Sequence, residues 1–246
     1  MPFFSTWVSA GRIIYQILIN LGKMMSRWQY AIVAIGMCLL IIIGTNQLSI
    51  ATNLAAPADP LQWRELPLDR HSTKSPRAID LDFTYATTNN FVKIKLYPCP
   101  RCFLRPEVAA AVQQAHQQLQ QQGYGGLRLF DCYRPQPIQQ KMWQIKPDER
   151  YVANPATGSA HNRGTAVDLT IVDIEGKPLD MGTPFDEFSP KAHHTYQALS
   201  PKILLHRSLL KKTMASVGFR HLDTEWWHYA WKGQKPPVGK WVWDCK

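Results

Sequence analysis

The sequence predicts a mixed α+β domain, and three observations support this fold class. Apolar residues recur with a helical period in some stretches, whereas other stretches alternate or contain many β-branched residues. The helical and extended stretches do not alternate regularly along the chain, which favours α+β over a doubly wound parallel sheet. With 45% hydrophobic and 19% charged residues, the composition is that of a folded globular protein and excludes disordered and collagen-like chains.

The clearest helical pattern covers residues 104–119. Apolar side chains recur there at steps of three and four, Pro106 and Glu107 stand near the start, and Gly123 follows the end. We therefore predict an amphipathic helix whose glutamine-rich face, including His116, is solvated. The spacing of apolar residues predicts two further helices, at residues 138–145 and 203–217.

Extended structure is predicted in several parts of the chain. Residues 80–97 alternate well enough to form two short strands around a turn at residues 87–90. Residues 127–130 are predicted to form a strand, and residues 166–174, which are rich in β-branched side chains, are predicted to form another. Aromatic side chains at residues 226–229 favour a further extended segment near the C-terminus.

The N-terminal region contains an uncharged apolar run at residues 28–44. Its length is at the short limit for a transmembrane helix, and a buried core helix is a poor alternative because no charge interrupts the run. Lys23 and Arg27 precede it, so we expect residues 1–27 to stay in the cytoplasm and the remainder to be exported. Small residues at positions 49–56 would also allow signal cleavage, but we favour an uncleaved anchor.

The predicted organisation therefore has four parts. They are a cytoplasmic leader at residues 1–27, a transmembrane anchor or signal segment at 28–45, a linker at 46–78 and a folded domain at 79–246. The linker is rich in Pro, Asp, Ser and Thr and shows no sustained apolar period.

The net charge is +10, from 28 Lys and Arg against 18 Asp and Glu. No arginine stripe or nucleic-acid recognition motif accompanies this excess, so we expect no nucleic-acid partner. Attraction to an anionic surface such as a cell envelope, or an ordinary solvated surface, explains the charge.

Four cysteines lie outside the apolar run: Cys99, Cys102, Cys132 and Cys245. An even number in an exported domain permits one or two disulfides, and the sequence leaves their pairing open. Cys99 and Cys102 form a lone Cys-x-x-Cys pair, which lacks the second pair or matched histidines of a structural zinc site. No thioredoxin-like pattern surrounds it, so a redox role is not favoured.

Three potential metal ligands occur in two short motifs. His161 and Asp168 lie in the segment SAHNRGTAVD, and His228 ends the segment EWWH. A catalytic zinc ion commonly takes three nitrogen or oxygen ligands from the protein and leaves a fourth position to water. Two neutral imidazoles and one carboxylate leave the site net positive, which favours ionisation of a bound water molecule.

Glu225 is the candidate general base, because it lies three residues before His228 and can accept a proton without binding the metal. In a regular strand these two positions face opposite sides of the sheet. We therefore predict that this segment bends or contains a bulge.

The two motifs together resemble a known enzyme family. Ser-x-His-x-x-Gly-x-Ala-x-Asp at residues 159–168, followed by Glu-x-Trp-His at 225–228, is similar to the double signature of zinc D,D-peptidases that share a fold with the Hedgehog signalling domain. The Glu-Trp-Trp-His form resembles the VanX-type D-alanyl-D-alanine dipeptidases. Further matching segments lie at residues 80–81, 85–87, 90–91, 131–135, 181–183 and 185–186.

This resemblance implies an antiparallel sheet flanked by helices and one zinc ion per chain. It implies that His161, Asp168 and His228 bind the zinc and that Glu225 is the base. Arg134 would stabilise the oxyanion, a role that suits a permanently charged, forked donor.

The resemblance also assigns Ser159 and Asp186 to substrate binding. The Asp186 carboxylate would hold the free ammonium group of a dipeptide. Plain structural roles remain open: Arg134 could pair with Asp131 in a tight turn, Asp186 could cap a loop, and Glu187 could take the place of Asp186.

We therefore expect a zinc-dependent dipeptidase that cleaves D-Ala-D-Ala in the bacterial cell envelope. It would be anchored in the membrane with its catalytic domain outside the cytoplasm, or secreted to the periplasm. A D,D-carboxypeptidase that trims peptidoglycan stem peptides is the nearest alternative. A non-catalytic zinc-binding module is an alternative of another class, but the presence of Glu225 favours an enzyme.

Overall fold

The computed structural model describes residues 63–67 and 78–245, which form the predicted mixed α+β fold. The helices are α1 (Pro106–Gln121), α2 (Gln136–Ile145) and α3 (Pro201–Ser216). The strands are β1 (Arg64–Glu65), β2 (Asp80–Leu81), β3 (Phe103–Leu104), β4 (Gly126–Asp131), β5 (Ala166–Val172), β6 (Phe219–Leu222) and β7 (Glu225–Trp231). Short 3-10 turns lie at Thr84–Ala86, His161–Arg163 and Pro190–Ala192.

The main sheet has five strands in the order β2-β4-β5-β7-β6. Strands β4, β5, β7 and β6 pair in antiparallel fashion, but β2 lies parallel to β4. The expected antiparallel sheet is confirmed for these four strands, but the expectation is wrong at the β2 edge. The physical reason is the connection, because α1 lies between β2 and β4 in the chain and parallel strands require such a crossover.

Helix α1 forms where the apolar spacing predicted it and buries its apolar stripe against the sheet. Pro106 stands in the first turn, where its missing N–H removes no intrahelical hydrogen bond.

The prediction of a solvated His116 is wrong. Its side chain is buried, and its Nδ1 accepts a hydrogen bond from the Leu127 backbone N–H at 3.0 Å.

The prediction of a second short strand within residues 80–97 is also wrong. The segment after β2 forms a 3-10 turn followed by irregular backbone. The Asn90 side-chain amide donates to the carbonyl groups of Thr84, Thr87 and Ile94. These bonds hold the chain in a folded-back loop, a case in which a polar side chain competes with sheet pairing for the backbone.

Two disulfides join distant parts of the described chain, Cys99 to Cys245 and Cys102 to Cys132. Each cysteine of the Cys-x-x-Cys pair therefore has a partner outside the motif. Strand β1 pairs with β3, so part of the segment predicted as a linker at residues 46–78 packs on the domain.

The predicted leader and transmembrane segment, residues 1–27 and 28–45, lie outside the described residues. In the part of the chain that is described, none of the helices has the length and apolar character needed to cross a membrane.

Candidate active site

The three predicted metal ligands come from two neighbouring strands and the turn before them. His161 lies in the 3-10 turn that precedes β5, and Gly164 ends that turn with a positive φ of 67°. A Cβ atom at Gly164 would collide with the Trp63 ring, so this position requires glycine. Asp168 on β5 and His228 on β7 are direct partners across the antiparallel ladder. Strand pairing therefore brings the Asp168 and His228 side chains together, although the two residues are 60 positions apart in the sequence.

The ligand atoms of these three residues form a small triangle. His161 Nε2 lies 3.1 Å from His228 Nδ1 and 3.3 Å from Asp168 Oδ1, and the last two atoms are 2.9 Å apart. Around a tetrahedral zinc ion, neighbouring ligand atoms are separated by about 3.3 Å. Within residues 63–67 and 78–245, this is the one group of three or more His, Cys, Asp or Glu side chains close enough to share a metal ion. The donor set and its spacing fit zinc.

The electrostatics of the group keep the carboxylate ionised. Burial alone would raise the pKa of Asp168, but the His161 and His228 imidazoles outweigh burial and hold that pKa far below its usual range. His161 Nδ1 lies 2.7 Å from the Cys132 carbonyl oxygen. A proton on Nδ1 therefore leaves Nε2 free to act as a ligand.

Glu225 lines the same cavity as His161 and His228. The register between β6 and β7 shifts after the pair His221–Tyr229, so that Leu222 pairs with Glu225. The predicted irregularity is thereby confirmed, and it brings Glu225 and His228 to one cavity although a regular strand would separate them. Burial raises the pKa of the Glu225 carboxyl to about 7.

Arg134 also lines the cavity, and its side chain is almost completely buried. Its Nε and Nη2 both donate to Asp131 Oδ2, at 3.0 and 2.6 Å, and its Nη1 donates to Gln139 Oε1 at 3.0 Å. The Tyr97 hydroxyl donates to the other Asp131 oxygen at 2.6 Å. The pairing with Asp131 that the sequence left open is present, and it holds a fixed cation at the cavity wall.

Asp186 lines the cavity as well, with a positive φ of 60°. Its Oδ2 accepts a hydrogen bond from the Tyr85 hydroxyl at 2.7 Å. Burial, with nearby carboxylates, raises the pKa of Asp186 well above its usual range. Glu187 instead accepts a hydrogen bond from the Ser189 hydroxyl and is not among the cavity residues.

Ser159 lies at the cavity wall, in the loop before the His161 turn. Its backbone N–H donates to Asn162 Oδ1, and the Asn162 N–H donates to Ser159 Oγ. Asn162 also donates from its side chain to the Arg134 carbonyl group at 2.7 Å. These bonds tie the Ser159 loop to the segment that carries Arg134.

The cavity encloses about 200 Å³, and its wall includes residues that the sequence analysis assigned no role. Tyr85 belongs to a segment that matches the family, and this match could have identified it as a cavity residue. Arg150, Tyr151 and Phe188 carry no local motif. A second cavity of about 270 Å³ shares these three residues and Glu225 with the first.

Comparison with known proteins identifies the relatives of this chain. A family model described as D-ala-D-ala dipeptidase, Peptidase_M15, matches residues 76–240. The D-alanyl-D-alanine dipeptidase of Escherichia coli K12 is 36% identical over 151 residues, which cover 61% of this chain and 78% of that protein. The Enterococcus faecalis V583 enzyme of the same name is 32% identical over 169 residues, covering 60% and 83%.

Two solved structures are more distant. The vancomycin-resistance D,D-pentapeptidase VanY, in complex with Zn(II), aligns with a TM-score of 0.36 and 17% identity over 54% of this chain and 74% of that one. The LD-carboxypeptidase LdcB aligns with a TM-score of 0.36 and 18% identity, over 56% and 60%.

Proposed function

The chain belongs to the D-Ala-D-Ala dipeptidase family Peptidase_M15, a metallopeptidase family, and from this premise we propose that it hydrolyses free D-Ala-D-Ala with one bound zinc ion. Its relatives support a peptidase of cell-wall metabolism. The observation that carries the proposal is the convergence of His161, Asp168, His228 and Glu225 on one cavity. Three of these side chains can bind the metal, and the fourth can move a proton.

His161, Asp168 and His228 would hold the zinc ion, because their ligand atoms lie 2.9–3.3 Å apart, within a few tenths of an ångström of the spacing in a tetrahedral site. The zinc ion, when bound, supplies Lewis-acid polarisation of the scissile carbonyl and lowers the pKa of a water molecule. The hydrogen bond from His161 to the Cys132 carbonyl group keeps the ligand ring in one orientation.

Glu225 would accept the proton of the attacking water and deliver it to the leaving amino group. A base works best when its pKa lies near the working pH, and burial places the pKa of Glu225 at about 7. Its location in the cavity, outside the three-residue ligand group, is consistent with proton transfer and not with metal binding.

Arg134 would stabilise the negative charge that develops on the carbonyl oxygen. Its guanidinium is held by Asp131 and Gln139, so little reorganisation is needed when the charge appears. The ion pair with Asp131 is therefore compatible with the proposed catalytic role, because it fixes the guanidinium group that would stabilise the oxyanion.

Ser159 and Asp186 would bind the dipeptide. The Asp186 carboxyl group is held by Tyr85 at the cavity wall, where it can pair with the substrate ammonium group. A bound ammonium would favour the ionised form of Asp186, because an opposite charge nearby stabilises a buried carboxylate.

We further propose that the domain acts outside the cytoplasm, connected to the membrane through residues 28–45. The length and charge pattern of that segment support this location. The two disulfides add support, because such bonds persist in oxidising compartments.

One observation favours a second candidate, a D,D-carboxypeptidase. The cavity of about 270 Å³ beside Glu225 could receive the extended acyl chain of a peptidoglycan stem peptide. The two activities make opposite demands at the amino end of the scissile pair, because the dipeptide carries a free ammonium group and the stem peptide does not.

The deciding experiment compares hydrolysis of free D-Ala-D-Ala with hydrolysis of an N-acylated peptide that ends in the same pair. We expect about one zinc ion per chain, loss of activity in chelator, and a strong preference for the free dipeptide. Equal cleavage of both substrates would establish the carboxypeptidase instead. Zinc binding without turnover of either substrate would indicate a binding module.

A further inference from the structure

We infer that the Cys102–Cys132 disulfide is a positioning device for the metal ligand His161, acting through the Cys132 carbonyl group. The inference rests on the proposed zinc site and adds to it the part of the fold that fixes the ligand's orientation. It assigns a role to two cysteines that the reaction itself does not use.

The contact is direct. His161 Nδ1 lies 2.7 Å from the Cys132 carbonyl oxygen, while Nε2 of the same ring faces Asp168 and His228. A carbonyl oxygen can only accept a hydrogen bond, so it selects the tautomer with the proton on Nδ1. It also sets the plane of the ring. A ligand whose far nitrogen is held in this way binds metal more tightly than a free imidazole.

The disulfide determines where this carbonyl group lies. Cys132 follows the end of β4, where the register with β5 has already shifted, so regular ladder pairing does not continue through it. Its sulfur is bonded to Cys102, next to β3, and the following N–H, that of Tyr133, donates to the Phe103 carbonyl group at 3.0 Å. Both cysteines are fully buried. The bond therefore attaches the carbonyl to a second, independent strand.

The other disulfide provides a matched control. Cys99–Cys245 joins residues 146 positions apart, whereas Cys102–Cys132 joins residues 30 apart. A disulfide stabilises a protein by lowering the entropy of the unfolded chain, and this effect grows with the length of the loop that the bond closes. Loss of Cys99–Cys245 should therefore cost at least as much stability as loss of Cys102–Cys132. The Cys99 carbonyl oxygen accepts a hydrogen bond from the Trp243 indole N–H at 3.2 Å, whereas the Cys132 carbonyl oxygen faces the metal ligand His161. If only the variant without Cys102–Cys132 loses zinc affinity, the cause is therefore the position of His161 and not a general loss of stability.

The experiment uses the full-length chain and two double variants, Cys102→Ala with Cys132→Ala, and Cys99→Ala with Cys245→Ala. Zinc affinity is measured by competition with a chromophoric chelator, well below the unfolding temperature of each protein. The visible spectrum of the cobalt(II)-substituted protein reports the coordination geometry independently of activity. Circular dichroism checks that each variant is folded.

We expect the first variant to bind zinc about 10- to 100-fold more weakly and to show an altered cobalt spectrum. The second variant should keep the affinity and spectrum of the unmodified protein, even though its unfolding temperature falls. Unchanged affinity in the first variant, or equal losses in both, would overturn the inference. So would failure of the first variant to fold, because the bond would then hold the fold as a whole. The proposed function fails separately, if the unmodified chain binds no zinc or cleaves no D-Ala-D-Ala.

Discussion

The Tyr85 hydroxyl donates a hydrogen bond to Asp186 Oδ2 across 2.7 Å, and both residues line the cavity that contains the candidate metal ligands. The two residues are 101 positions apart, and the contact joins the 3-10 turn after β2 to the loop before α3. It fixes the direction of the one carboxylate that we assign to the substrate ammonium group.

Asp186→Asn should raise KM for D-Ala-D-Ala by tenfold or more and leave zinc content unchanged, because the substrate cation loses its anionic partner. Asparagine tolerates the positive φ at this position, so the backbone should be retained. The ratio of kcat/KM for the free dipeptide to kcat/KM for the acylated peptide should fall. Glu187→Gln is the control, since that carboxylate does not line the cavity. Unchanged KM in Asp186→Asn would remove its assigned role.

Glu225→Gln should keep zinc bound and lower kcat by about a hundredfold or more, because the amide has the size of the carboxylate but cannot accept the proton. Metal content by atomic absorption and steady-state kinetics on the same preparation separate the two effects. His161→Ala provides the contrast, with loss of zinc and activity together. Parallel loss of zinc and activity in Glu225→Gln would make Glu225 a ligand.

Arg134→Gln should lower both kcat and the free energy of unfolding, because it leaves the buried Asp131 carboxylate without its cation. Breaking a buried ion pair costs about 3–5 kcal/mol. Arg101→Gln is the matched control, since Arg101 pairs with Glu65 at the surface and should lose less stability. Chemical denaturation of both variants tests this. Equal stability losses would contradict a special role for the Asp131–Arg134 pair.

His194 should make the domain less stable in mild acid. Burial, assisted by repulsion from His221 and nearby cations, lowers the pKa of His194 from 6.5 to about 3. Between these pH values the unfolded chain binds a proton at this position and the folded chain does not, so stability falls as the pH drops below 6.5.

His194→Gln should remove part of this dependence, by about 1 kcal/mol between pH 7.5 and pH 5 after allowance for partial solvent screening. Denaturant unfolding of the unmodified chain and the variant at both pH values measures the difference. Identical pH dependence in the two proteins would show that His194 does not titrate as described.

A reporter fused after Lys246 should be exported and should remain with membranes after a high-salt wash, if residues 28–45 anchor the chain. Deletion of residues 1–45 should release the reporter from the membrane fraction. Release by salt alone would indicate electrostatic adhesion, and a soluble exported product would indicate signal cleavage.

Local sequence was enough to predict the features that depend on local spacing. The apolar period and the terminal signals predicted all three helices of the described chain within a few residues. The spacing of Glu225 and His228 predicted an irregular strand, because side chains three positions apart cannot share a face of a regular one. The chemistry of His161 and Asp168 identified them as candidate ligands without any knowledge of their distance from His228.

Tertiary structure decided everything that depends on contacts between distant residues. The parallel edge strand, the disulfide partners and the burial of His116 follow from packing that no local period encodes. The pairing of β5 with β7 brings Asp168 beside His228, and the loop after β4 brings the Cys132 carbonyl group to His161. Residue types and spacing therefore determined which groups are available for the chemistry. The pairing register and the disulfides determined which of those groups meet, because side-chain direction is local whereas proximity depends on the whole fold.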